Sequence, residues 1–87
     1  MLGFRKFAPP TCKQVEMALK NMGFTPEKQK GSSHIHWEKI ENGKLYKVTV
    51  DCPKAPFCDD LVKSMAKQAG ISKQTFLSYC HDKKFKN

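Results

Sequence analysis

His34 and His36 stand two positions apart, directly after the run Gly31-Ser32-Ser33 and close to Lys28, Lys30 and Lys39. Imidazole has an ordinary pKa of about 6.5, so both protonation states are populated near neutrality and either ring can take or give a proton. Ammonium groups and the backbone N–H groups of a glycine turn are what a phosphate needs around it. Cutting an RNA phosphodiester without a metal asks for this combination: a base for the 2′-hydroxyl, an acid for the leaving 5′-oxygen, and cations for the charge that builds on phosphorus. His34 and His36 are therefore both candidate acid/base residues. Lys28, Lys30, Gly31, Ser32, Ser33 and Lys39 are the candidate RNA contacts. The plainer reading stands beside this one. A histidine at a strand start is more often a surface residue, Ser32 and Ser33 can simply bond their own backbone in a turn, and lysines usually make a solvated face.

Charge points to the partner. Lys and Arg number 16 against 8 Asp and Glu in 87 residues, a formal net charge of +8, which favours polyanions and nucleic acid first. No apolar run approaches the roughly 20 residues that span a bilayer, and no basic amphipathic helix with a broad apolar face stands out, so a membrane is not the expected partner. The opening MLGFRKFAPP lacks the apolar run of about 7 to 15 residues that a secretory signal carries, and the chain is expected in the cytoplasm. In that compartment Cys12, Cys52, Cys58 and Cys80 are read as reduced thiols. A zinc site built from Cys52, Cys58, Cys80 and His81 lacks knuckle spacing, and cysteine-protease chemistry lacks an oriented Cys–His pair. No metal or other cofactor is expected.

The elements that must hold these residues follow from periodicity. Residues 1–10 read as a basic arm ending in Pro9-Pro10, with Phe4 and Phe7 available to pack, residues 11–81 as a single domain, and 82–87 as a polar tail that frays. Thr11 and Gln14 form a capping box in front of a helix over 12–22, whose stripe is Cys12, Val15, Ala18, Leu19 and Met22. Gly23 and Phe24 close it. Residues 25–30 make a short edge strand or extended loop, weakened by Pro26. Two better strands, 33–41 and 44–50, are joined by Asn42-Gly43, the dipeptide most suited to a two-residue hairpin turn. Alternation puts Ile35 and Trp37 on the core face with Tyr46, Val48 and Val50, and His34, His36 and Glu38 on the wet face with Lys47 and Thr49. Trp37 is thereby a core residue before it is a stacking platform. After the Asp51–Pro56 loop come a helix to residue 69, with Asp59 and Asp60 in its first turn and Gly70 at its end, and a short helix opened by Ser72 and packed through Phe76, Leu77 and Cys80. The class is α+β, with helices on one face of a three-stranded antiparallel sheet.

The capped first helix ending Asn-Met-Gly-Phe, then Gly31-Ser32-Ser33-His34, then the hairpin, then the helix ending Lys67-Gln68-Ala69-Gly70-Ile71-Ser72 together resemble the HicA toxin family, small ribonucleases of toxin–antitoxin pairs also called YcfA-like proteins. The resemblance covers roughly residues 11–77. It implies a fold similar to a double-stranded RNA-binding domain, metal-independent cleavage of single-stranded mRNA, and a HicB-type antitoxin that covers the active site. It also implies that His34, at the end of the Gly-Ser-x-His motif, is the catalytic histidine. The chain departs from the family pattern at Asp51-Cys52-Pro53, where members often carry a Pro and a His, and in its longer N-terminal lead. Two readings from other classes accompany the enzyme: a non-catalytic RNA-binding module of the same fold, and a protein-interaction adaptor using the open sheet face.

Overall fold

The computed structural model describes residues 8–28 and 34–85. Lys30, Gly31, Ser32 and Ser33 lie outside the described residues, as do the side chain of Lys28 and residues 1–7 of the expected arm. Helix α1 (Cys12–Asn21) begins at the anticipated capping box, in which the Gln14 N–H donates to Thr11 Oγ1 at 3.2 Å and the Thr11 N–H to Gln14 Oε1 at 2.9 Å. Its end is a Schellman arrangement. Gly23 takes φ +97°, its N–H donates to Lys20 O, and the Phe24 N–H donates to Leu19 O at 2.9 Å while the Phe24 ring is buried.

Three antiparallel strands follow in the order β1 (Thr25–Lys28), β2 (His34–Glu41) and β3 (Lys44–Asp51). Asn42 and Gly43 both have positive φ, 53° and 75°, the backbone of a type I′ turn that matches the twist of the strands it joins. That tight turn fixes the register: Glu41 faces Lys44, and stepping outward His36 faces Thr49 and His34 faces Asp51. Both outer edges of the sheet are covered in particular ways. Pro26 in β1 has no N–H, and the Thr49 N–H of β3 donates to Gln68 Oε1 at 3.1 Å.

A short 3-10 turn (Cys52–Lys54) leads to α2 (Asp59–Ala69) and α3 (Lys73–His81). Val15, Ala18 and Leu19 of α1, Trp37, Val48 and Val50 of the sheet, and Phe57, Val62, Met65, Phe76 and Cys80 form one core. Alternation thus works as expected, with one sheet face in the core and the other open. At the α2–α3 corner Asp59 accepts from Lys73 Nζ at 2.6 Å and pairs with Lys63 at 3.5 Å, and the Lys73 hydrogen bond holds its carboxyl below the usual range. The chain's end differs from the expectation of fraying. His81 Nε2 is hydrogen-bonded to Ala8 O at 2.8 Å and its Nδ1 lies 3.4 Å from Gln14 Nε2, while Phe85 packs edge-on to Tyr79 with centroids 4.8 Å apart. Pro10, expected in a loose arm, is fully buried, and its carbonyl accepts the Phe57 N–H. An apolar ring and a carbonyl facing inward outweigh the polar composition of the flanking residues.

Candidate active site

The open face of the β2–β3 ladder carries four cross-strand pairs, each chemically matched. His34 Nε2 lies 3.3 Å from Asp51 Oδ2, His36 Nδ1 is hydrogen-bonded to Thr49 Oγ1 at 3.0 Å, Glu38 pairs with Lys47 at 3.6 Å, and Ile40 meets Leu45 as its register partner. Directly opposed residues in an antiparallel pair have Cβ atoms about 4.5–5.5 Å apart, which is why register alone brings these groups together. His34 and His36 therefore share one face, as the period of two requires.

Around His34 the surroundings are ionic and wet. Its side chain is 51 % exposed and that of Asp51 19 %, so the carboxylate is the more enclosed partner and the imidazole the one offered to solvent. Lys54 Nζ reaches the same Asp51 oxygen at 4.0 Å, giving a second cationic group at the carboxylate. A cleft of about 210 Å³ opens here between the sheet and α2. Thr49, Ser64 and Gln68 line it beside His34, Asp51 and Lys54, over an apolar floor of Phe57, Leu61 and Met65. The Gln68 amide is fixed there by the Thr49 N–H it accepts. Such a cleft can hold one flat polar group next to a base or acid with a carboxylate to orient it.

The structure sorts the residues named from sequence. His34 and His36 are brought together on the open face. Lys39 is not with them. It stands on the other face with Ile35 and Trp37, where its Nζ donates to Met22 O at 3.4 Å, pairs with Glu41 at 3.5 Å and lies 5.0 Å from the centre of the Phe24 ring and 5.7 Å from that of Tyr46. This lysine clasps the end of α1 to the sheet. Lys28 is the register partner of Ile35. Trp37 is 5 % exposed and belongs to the core; its Nε1 is buried and has no hydrogen-bond partner among the described residues. A larger groove of about 630 Å³, between α1 and the core side of β1 and β2, is lined by Glu16, Met17, Lys20, Pro26, Ile35 and Trp37 and contains neither histidine.

Asp51 and Lys54 are the site residues that sequence reasoning missed. The signal for Asp51 was available in the Asn42-Gly43 turn, because a two-residue hairpin counted outward places residue 51 opposite residue 34. The reading of four reduced thiols is also revised. Cys12 and Cys52 form a disulfide across 40 residues, whereas Cys58 and Cys80 are free. Sequence spacing cannot see such a pairing, which the fold creates by laying the start of α1 beside the end of β3. Cys12, Cys52 and Glu16 are the one trio among the described residues whose donor atoms, all within 4.8 Å, could hold a metal. With the sulfurs joined, only the Glu16 carboxylate remains to offer. Cys80 is buried, which pushes its thiol up to about 12 and leaves it inert at neutral pH.

No helix among the described residues is long and apolar enough to cross a membrane. Comparison with curated proteins and with solved structures finds no match. Comparison with protein families matches residues 12–71 to the HicA toxin of bacterial toxin–antitoxin systems. That span runs from the first residue of α1, through the hairpin that pairs His34 with Asp51, to the residue after Gly70, and on it the chain belongs to the HicA toxin family.

Proposed function

We propose that this toxin is a metal-independent endoribonuclease that cleaves mRNA in the cytoplasm, with His34 as its acid/base residue. The observation that carries the reading is the His34–Asp51 pair: a half-exposed imidazole held against a more enclosed carboxylate, at the mouth of a cleft, on a chain with net charge +8. A carboxylate beside an imidazole fixes the ring's orientation, which a proton-transfer residue requires. In the reaction His34 takes the 2′-hydroxyl proton, the 2′-oxygen bonds to phosphorus as the bond to the 5′-oxygen breaks, and the leaving oxygen receives a proton from His34 or from water. Lys54 stands close enough to the pair to meet a phosphate oxygen. Lys28, Lys30, Gly31, Ser32 and Ser33 precede His34 in the chain and are the remaining candidates for phosphate contact. His36 is engaged by Thr49 and takes an auxiliary place.

An active ribonuclease needs restraint, and the family implies an antitoxin; a HicB-type protein that covers the His34 face fits that need. The second reading is an RNA-binding module that does not cut, favoured by the same charge. Incubation of the purified chain with labelled RNA in EDTA, alongside His34→Ala, separates the two. Chelator-resistant cleavage that the substitution abolishes is the expected result. RNA binding without cleavage by either form leaves the module, and cleavage at full rate by the variant removes His34 from the chemistry.

A further inference from the structure

The Cys12–Cys52 bond joins the first residue of α1 to the residue that follows Asp51. The two ends of that bond are unequal. Helix α1 is anchored by its capping box and by the fully buried Val15, Ala18 and Leu19. The 3-10 turn Cys52–Lys54 has no buried residue and no side-chain cap, and is closed by one backbone bond, the Ala55 N–H to Cys52 O at 2.9 Å. That turn carries Lys54, and Asp51 is its N-cap residue. The turn that carries Lys54 and directly follows Asp51 is thus tied to a firmly held helix by a bond that chemistry can open. Both cysteines are only partly buried, at the margin of the core.

We propose that Cys12 and Cys52 form a reversible redox-modification site, exchanged with low-molecular-weight thiols and disulfides of the glutathione class, that braces Asp51 and Lys54 beside His34. Closing proceeds by thiol–disulfide exchange. One cysteine thiolate attacks a glutathione disulfide and releases one glutathione thiolate, which takes up a proton; the second cysteine thiolate then attacks the mixed disulfide and releases the other glutathione. The protein loses two electrons and two protons, and one glutathione disulfide becomes two glutathione molecules. Opening is the reverse. A reducing shift in the thiol pool opens the brace, and an oxidising shift closes it.

The consequence for RNA cleavage rests on the ribonuclease reading above, while the brace itself does not. The full chain, reduced and desalted, is split into one portion left reduced and one equilibrated with oxidised glutathione. Thiol titration, peptide mass mapping, thermal unfolding and RNA cleavage in EDTA are measured on both. Titrated in denaturant, the thiols are expected to fall on oxidation from four to the two of Cys58 and Cys80, with the new bond mapping to Cys12 and Cys52. The closed form is expected to unfold on the order of 10 °C higher, because cross-linking a long loop restricts the unfolded chain. It is also expected to cleave severalfold faster. Cys12→Ser and Cys52→Ser keep the melting temperature and cleavage rate of the reduced form whatever the oxidant, and Cys58→Ser shows the parent's shifts in both while its thiols fall from three to one. Four thiols after oxidation, a bond that maps elsewhere, or equal melting in the two forms overturns the proposal. Absence of cleavage in both forms refutes the ribonuclease reading alone, since thiol count and melting still judge the brace.

Discussion

Replacing Asp51 by Asn removes a charge from the site and almost nothing of its shape, so it isolates what the carboxylate does for His34. The His34–Asp51 distance is 3.3 Å, and about half of the His34 side chain is exposed. At that separation two unit charges in water attract by about 1.3 kcal/mol, and exposed pairs in proteins contribute roughly 0.2–1 kcal/mol. A loss of about 1 kcal/mol in the transition state is roughly a fivefold fall in rate. Asp51→Ala also removes the acceptor, and a hydrogen bond to a charged group contributes about 1.5–3 kcal/mol, or roughly 10- to 100-fold. His34→Ala removes proton transfer itself, a loss of about 10²- to 10⁴-fold. The three variants should therefore fall in rank: Asn mildly, Ala further, His34→Ala furthest. Single-turnover cleavage of a labelled RNA in EDTA gives the rates, saturation curves separate kcat from KM, and circular dichroism verifies the fold. Because Asp51 orients rather than contacts substrate, the loss should appear in kcat with KM little changed. An Asp51→Asn rate as low as that of His34→Ala would refute this reasoning, as would an Asp51→Ala rate equal to the parent's.

Two further outcomes follow from the fold. Gly70 ends α2 at φ +79°, and a Cβ there would lie 2.7 Å from Tyr46 Cε1 and 3.3 Å from its Cδ1, so Gly70→Ala carries both left-handed strain of about 1–2 kcal/mol and a clash of about 1–3 kcal/mol. Gly43→Ala, at φ +75° with nothing within 4 Å, carries the strain alone; thermal unfolding should place Gly70→Ala well below it, and equal melting temperatures would show that the Tyr46 contact is not felt. The Cys80 thiol, held up to about 12 by burial, stays protonated through the neutral range, so iodoacetamide at pH 8 should label the exposed Cys58 and spare Cys80 until the chain unfolds; equal labelling by mass spectrometry would contradict its burial.

What the sequence made legible was local. Thr11 with Gln14, Gly23 with Phe24, Asn42 with Gly43, and Ser72 at the start of α3 each declare themselves within a few residues, because caps and turns are settled by neighbours. The face of the sheet was legible for the same reason, and Lys39 shares the parity of Ile35 and Trp37, so its departure from the histidines was written in the alternation. Asp51 was one step further: it needed the hairpin counted outward over its whole length. The Cys12–Cys52 bond and the docking of His81 on Ala8 were not legible, because they depend on how α1 packs against β3 and α3, and no local preference encodes that packing.

The two guarded sheet edges bear on how a partner can hold this toxin. A strand arriving beside β1 meets Pro26, which has no N–H to give, and one arriving beside β3 must first displace the Gln68 side chain from the Thr49 amide. Extension of the sheet by a partner's strand is therefore obstructed on both sides. On the function proposed above, an inhibitor seated on the open His34 face and an RNA strand would then compete for the same ground, and only one could be bound at a time.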